Sequence, residues 1–160
     1  MTGRTSKINS LMAALMMLAL YSCNSNLIYN DVAEMPDSAW NLFNNPDFSF
    51  PVSDTTKNTN IFFTIRTGAQ YPFRNIFLFV TTTAPDGKSI TDTLEYEIAD
   101  EKGNWLGKGF GDIHELKLPY RQNVYFPVKG TYHLIIRHGM RTEDLKGVYD
   151  IGLTVEKSVK

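Results

Sequence analysis

Disulfides are excluded from the outset, because Cys23 is the only cysteine among 160 residues. The same scarcity removes cysteine-based zinc and iron–sulfur centres. Long hydrophobic runs are missing too: Leu11 to Leu20 is unbroken Leu, Met and Ala, but it falls short of the roughly 20 apolar residues that cross a bilayer as a helix. Neither charge sign dominates, with 16 Lys+Arg against 17 Asp+Glu, so the chain lacks the electrostatic footprint of a nucleic-acid-binding protein. No stretch keeps a helical period for three turns, which argues against helical bundles and βαβ units. What is present is 42% apolar residues with ten Phe and eight Tyr, a composition that can hold a domain by packing alone.

The apolar run ends at Leu20-Tyr21-Ser22-Cys23 and is preceded by Arg4 and Lys7, the layout of a cleaved signal peptide rather than a membrane anchor. Leu three residues before a cysteine and a small residue just before it make a lipobox. Leu20 and Ser22 fit that pattern, and Tyr21 is bulkier than usual. An ordinary secretory signal would leave Cys23 as an unpaired thiol in an oxidising compartment, a liability that diacylation removes. Residues 1–22 are therefore read as a lipoprotein signal peptide, 23–45 as a lipidated tether and 46–160 as a single domain. Cleavage leaves 138 residues with 14 basic and 17 acidic side chains, a balance of −3. Membrane attachment then falls to the lipid on Cys23, at about 0.8 kcal/mol per buried methylene. Asn24-Ser25-Asn26 follows the cysteine where surface-exported lipoproteins of some Gram-negative bacteria carry an acidic run, so the expected location is the cell envelope, facing the periplasm.

The tether, rich in Asn, Ser and Asp, contains Leu27-Ile28-Tyr29 and Trp40, which can dock on the domain. From Phe48 onward, short β-type runs alternate with turn chemistry. Phe48 to Val52 is cut by Pro51 and suits an edge strand. Ile61 to Arg66 and Ile76 to Thr81 are dense in apolar residues, and the second is apolar on both faces, which places it in the middle of the fold. Pro85-Asp86-Gly87 marks a reversal. Beyond it Ile90, Leu94, Tyr96 and Ile98 share one side, broken only by Asp92, so Ile76 to Ile98 reads as a hairpin. Val124 to Pro127 and Tyr132 to Arg137 follow, separated by a turn at Val128-Lys129-Gly130. Arg141 to Lys146 has room for one turn of helix at most, and Val148 to Val155 alternates as a last strand. Seven or eight short strands in one domain predict an all-β fold, an antiparallel β-sandwich of immunoglobulin-like or jelly-roll type.

Gly103-Asn104-Trp105-Leu106-Gly107-Lys108-Gly109-Phe110-Gly111-Asp112 is the most unusual segment. It fails as a phosphate loop, since only three residues separate Gly103 from Gly107 and no helix follows. It fails as a dinucleotide fingerprint, lacking a βαβ context. The glycines instead suit turns and bulges in a long connection. Trp105 and Phe110 within it, and Trp40 before the domain, are candidate contacts for a protein partner or a glycan; equally they can cap the core. His133 and His138 have opposite strand parity, so with His114 they make no persuasive metal set. No Gly-x-Ser-x-Gly elbow occurs, and Glu95 and Glu97 lie on a solvated strand face. No catalytic residue, metal or cofactor is assigned.

The lipobox, Ala39-Trp40, the run Tyr71 to Val80, Pro85-Asp86-Gly87-Lys88, Asp92 to Glu97 and the glycine-rich segment together resemble the GldH family of gliding-motility lipoproteins, over Cys23 to about Glu156. The resemblance implies a membrane-anchored component of a gliding apparatus linked to type IX secretion. It brings Cys23 as the lipid-modified residue, envelope proteins of that apparatus as partners, and no catalytic residues. A non-enzymatic scaffold is the first functional expectation. A glycan- or peptidoglycan-binding module using Trp105, Phe110 and Trp40 is the alternative, and exposure of those rings discriminates the two.

Overall fold

A computed structural model describes residues 26–158; the expected signal peptide and Cys23 lie outside them. The regular structure of the described chain is almost entirely strand. In order these are β1 (Leu27–Glu34), β2 (Ala39–Asn41), β3 (Asp47–Val52), β4 (Thr59–Gly68), β5 (Asn75–Thr83), β6 (Ser89–Glu97), β7 (Lys108–Phe110), β8 (Ile113–Val124), β9 (Gly130–His138), β10 (Asp144–Lys146) and β11 (Val148–Lys157), with one 3-10 turn at Pro36–Ser38.

The pairing pattern is that of one long hairpin rolled over a core. β1 pairs β11, β3 pairs β9, β4 pairs β8 and β5 pairs β6, all antiparallel. Rolling adds the β11–β4 and β9–β5 contacts. Two sheets result, β1-β11-β4-β8-β7 and β3-β9-β5-β6. This order is a jelly roll, which settles the choice left open between the two sandwich types.

Period-two alternation builds the core. Ile61, Phe63 and Ile65 of β4 and Ile151, Leu153 and Val155 of β11 face Ile76, Leu78 and Val80 of β5 and Leu134 and Ile136 of β9, all of them buried. β5 lies between β9 and β6 within its sheet, but only one of its two apolar faces is buried in the core. The outer face of β5 is covered by single side chains rather than by a third layer: the Arg137 guanidinium lies 5.1 Å from the Phe79 ring. β3 is an edge strand, in keeping with Pro51.

Four segments depart from expectation. Residues 27–34, expected within the tether, are a full edge strand of the larger sheet. Asn30 and Asp31 interrupt the apolar pattern there because one edge of β1 is open. β8 was hidden by Pro119, yet only β7 covers its far side, over Ile113 to Glu115, so at Pro119 β8 is itself an edge and needs no donor there. Asp144–Lys146 pairs with β2 instead of turning as helix. Val124 ends β8, and the segment after it crosses between sheets rather than closing a hairpin.

Candidate functional site

The sandwich has two poles. Thr59 pairs with Lys157 and Val124, and Val52 with Gly130, so the start of β1, the end of β11 and the β3–β4, β5–β6 and β8–β9 loops share the pole nearest Asn26. At the other end Gly68 pairs with Ile113 and Thr67 with Val148. That distal pole carries the glycine-rich segment.

Its organisation starts at Asp100. The Asp100 carboxylate accepts hydrogen bonds from the Asn104 amide side chain and from the backbone N–H groups of Asn104 and Lys102, each at 2.8 Å. Those donors, Asn104 first, hold the carboxyl below the usual carboxylate range. The Leu106 N–H donates to the Ile98 carbonyl at 3.0 Å. Trp105 thereby sits beside Tyr71, ring centroids 6.4 Å apart, and stacks on His114 at 5.2 Å and 15°. The stack depends on Gly109, which pairs with His114. A Cβ there would lie 2.6 Å from His114 Nδ1 and 2.2 Å from the Ile113 carbonyl oxygen, so any side chain would displace the imidazole. Gly111, at φ 63°, turns the ribbon from β7 into β8.

The ribbon ends in Phe110, which is 97% exposed and is the Cα partner of Ile113. Its pairing partner Ile113 is exposed as well, and so are Leu106 and Phe73 at the same pole. Phe73 meets Tyr71 edge-on at 6.0 Å, so Phe73, Tyr71, Trp105 and His114 form a continuous line of rings. Of the three candidate aromatics, Phe110 is bare, Trp105 is half-buried, and Trp40 is fully buried. Trp40 is therefore unavailable as a surface contact. Its indole N–H donates to the Asn44 carbonyl at 2.8 Å and its ring meets His138 edge-on at 5.5 Å.

The histidines are dispersed. His138 is buried and His133 is exposed on the opposite face, as their parity predicts, with His133 Nδ1 2.9 Å from the Ser49 hydroxyl. Among the described residues, no three His, Cys, Asp or Glu side chains converge on a possible metal position. Glu95 is exposed and accepts from the Asn75 side-chain amide at 2.6 Å.

The break in the apolar face of β6 has a role that spacing alone did not reveal. Asp92 accepts from the Tyr120 hydroxyl and the Arg121 guanidinium, both at 2.7 Å, linking β6 in one sheet to β8 in the other. Burial pushes this carboxyl up, but the two donors outweigh it and hold its pKa below the usual range. Next to this link, at the pole nearest Asn26, lies an open apolar groove of about 400 Å³ lined by Ile61, Ile90, Tyr125, Phe126, Pro127 and Val128 among others.

Comparison with known proteins gives a consistent picture. The protein-family model of the GldH lipoprotein matches residues 27–155. The Flavobacterium johnsoniae protein named gliding motility lipoprotein GldH is 36% identical over 156 residues, covering 93% of this chain and 96% of that one. A Christiangramia forsetii protein named as its homolog is 35% identical over 144 residues, covering 86% and 88%. Among solved structures, a carbohydrate-binding module specific for non-crystalline cellulose, CBM28, aligns with TM-score 0.45 at 9% identity over 86% of this chain and 78% of that one. Dimeric latent PorU from Porphyromonas gingivalis aligns with TM-score 0.36 at 13% identity over 86% of this chain and 14% of that one. Likenesses this loose carry no functional weight. The family match and the two sequence relatives run through both sheets and the glycine-rich segment, and on them the chain belongs to the GldH lipoprotein family.

Proposed function

We propose that this protein is a lipid-anchored, non-enzymatic subunit of a gliding-motility apparatus linked to type IX secretion. Acyl chains on Cys23 hold it in the cell envelope facing the periplasm, and its distal pole binds another envelope protein of the apparatus. The names of its relatives support the process. The observation that supports the binding role is Phe110: a ring left 97% exposed at the tip of a ribbon whose glycines serve to build that tip. Burying so large an apolar side chain on folding would be worth about 1.5–3 kcal/mol, and here that gain is left for a partner. Aromatic anchors framed by smaller apolar contacts are the usual energetic centre of a protein interface.

The glycan-binding alternative fares less well. Trp40 belongs to the core and one face of Trp105 is taken by His114, so a stacking platform would have Phe110 and at most the other face of a half-buried Trp105. Two substitutions test the proposal in the native host. Cys23→Ala is expected to move the protein from the membrane to the soluble fraction, and normal membrane retention would sink the lipid-anchor reading. Phe110→Ala is expected to keep anchoring and cut co-purification of apparatus proteins from those membranes by about tenfold, a loss of about 1.4 kcal/mol. Undiminished co-purification would move the contact elsewhere.

A further inference from the structure

The pole opposite Phe110 combines three features that the partner-binding role leaves unused. The first is chain length. Asn26 is locked into the larger sheet, its carbonyl accepting from the Lys157 N–H at 2.7 Å, and only three Cα steps separate it from Cys23. Three steps reach at most about 11 Å, close to the Debye length of about 8–10 Å at physiological salt. The second is exposed apolar surface. Leu27 is 44%, Ile90 56% and Tyr125 65% exposed, and Ile90 and Tyr125 flank the groove of about 400 Å³. The third is charge. Lys57, Lys88, Lys129 and Lys157 are exposed at this pole; Lys57 pairs with Asp54 at 3.5 Å and Lys88 with Asp86 at 2.9 Å, so the four lysines exceed the two aspartates by two positive charges. Segment 98–112 at the other pole instead carries one more acid than base.

We infer that this pole is a membrane-docking surface and that its occupant is the phospholipid bilayer holding the Cys23 anchor. The inference rests on the lipid-anchor reading above. Tyr125 and Ile90 enter the boundary between headgroups and acyl chains, where an amphipathic tyrosine is favoured. Lys129 extends along that boundary with its ammonium group at the phosphates, and the net positive charge of the pole favours an anionic lipid surface. The acyl chains already secure attachment, so docking adds orientation. With this pole on the lipid, the strands stand off the membrane. β4, ten residues long, spans about 33 Å at about 3.3 Å per residue, which sets the height at which Phe110 meets its partner.

The test uses the full-length lipidated protein, whose one native thiol is capped by the anchor, so an engineered cysteine takes a label cleanly. Tyr125→Cys, Ile90→Cys and, at the distal ribbon, Lys108→Cys are each labelled with an environment-sensitive nitrobenzoxadiazole probe. They are then reconstituted in phosphatidylethanolamine/phosphatidylglycerol vesicles carrying doxyl-labelled lipid. The expected result is at least threefold stronger quenching at positions 90 and 125 than at 108. Equal quenching at all three, with an acylated Cys23 by intact mass, overturns the docking surface and leaves the lipid anchor standing. An unmodified Cys23 overturns both. Probe self-quenching at 125 that rises with protein density, without quenching by doxyl lipid, assigns the groove to a second copy and also overturns the inference.

Discussion

Two short ribbons at the distal end of the sandwich, similar in size, place their aromatic residues in opposite ways. In β2–β10, Trp40 pairs with Leu145, both side chains are fully buried, and the Trp40 ring lies against His138. In β7–β8, Phe110 pairs with Ile113, and both are exposed, Phe110 almost completely. The first ribbon is folded back across the open end of the core and closes it. The second extends the edge of the larger sheet beyond the core: Trp105 packs on His114 at its base, and Phe110 at its tip is bare. Whether an aromatic is sealed in or left bare is thus decided by what the chain brings up against it, and for Trp40 that partner, Leu145, comes from more than a hundred residues away.

The contrast can be broken most severely at Trp40. Trp40→Ala is expected to lower unfolding stability by about 3–5 kcal/mol, the usual cost of deleting a large buried ring, measured by urea denaturation. Phe110→Ala is expected to leave that stability within about 0.5 kcal/mol while losing partner capture, a separation of folding from binding that no core residue would show. Trp105 should fall between them. Its ring is half-buried against His114 and Tyr71, so Trp105→Ala is expected to cost about 1–2 kcal/mol and also to weaken capture, because the stack positions the base of the ribbon. A drop for Trp105→Ala as large as that for Trp40→Ala would make it a core cap and narrow the site to Phe110.

The smallest effect concerns pH. The ring nitrogens of His138 face the backbone of Trp40 and Glu143 without a hydrogen bond of good geometry. Burial pushes the imidazole pKa below its ordinary value near 6.5. The unfolded chain therefore binds a proton that the folded one resists, so this contribution is intact above about pH 6.5 and is lost progressively as pH falls below that value toward the lower folded pKa. The urea midpoint is expected to decline from pH 7.5 to 5.5 in the wild type and to change less in His138→Leu. Parallel declines in the two proteins would remove His138 from the account.

β11 was legible as alternation, β4 as a dense apolar run, β9 as a β-type run set off by the turn before it, and the β5–β6 hairpin from Asp86-Gly87. Where an edge strand tolerates polar or proline interruptions, at Asn30-Asp31 and Pro119, the pattern faded. In sequence β1 is indistinguishable from the tether, and β8 shows no continuous strand pattern. β2 and β10 are too short to show a period at all. The distal site was legible because four glycines around Trp105 and Phe110 are costly to order unless the backbone needs them. Which of the three aromatics stays bare depends on long-range pairing and could not be read from spacing.

A photo-reactive benzoylphenylalanine at position 110, in the protein expressed in its native envelope, tests the partner-binding claim most directly, with the same group at Asn30 on the open β1 edge as the control. The account predicts a discrete protein adduct at 110 that is absent at 30 and that belongs to the motility apparatus. No protein adduct at 110, or the same adducts at both positions, would contradict it.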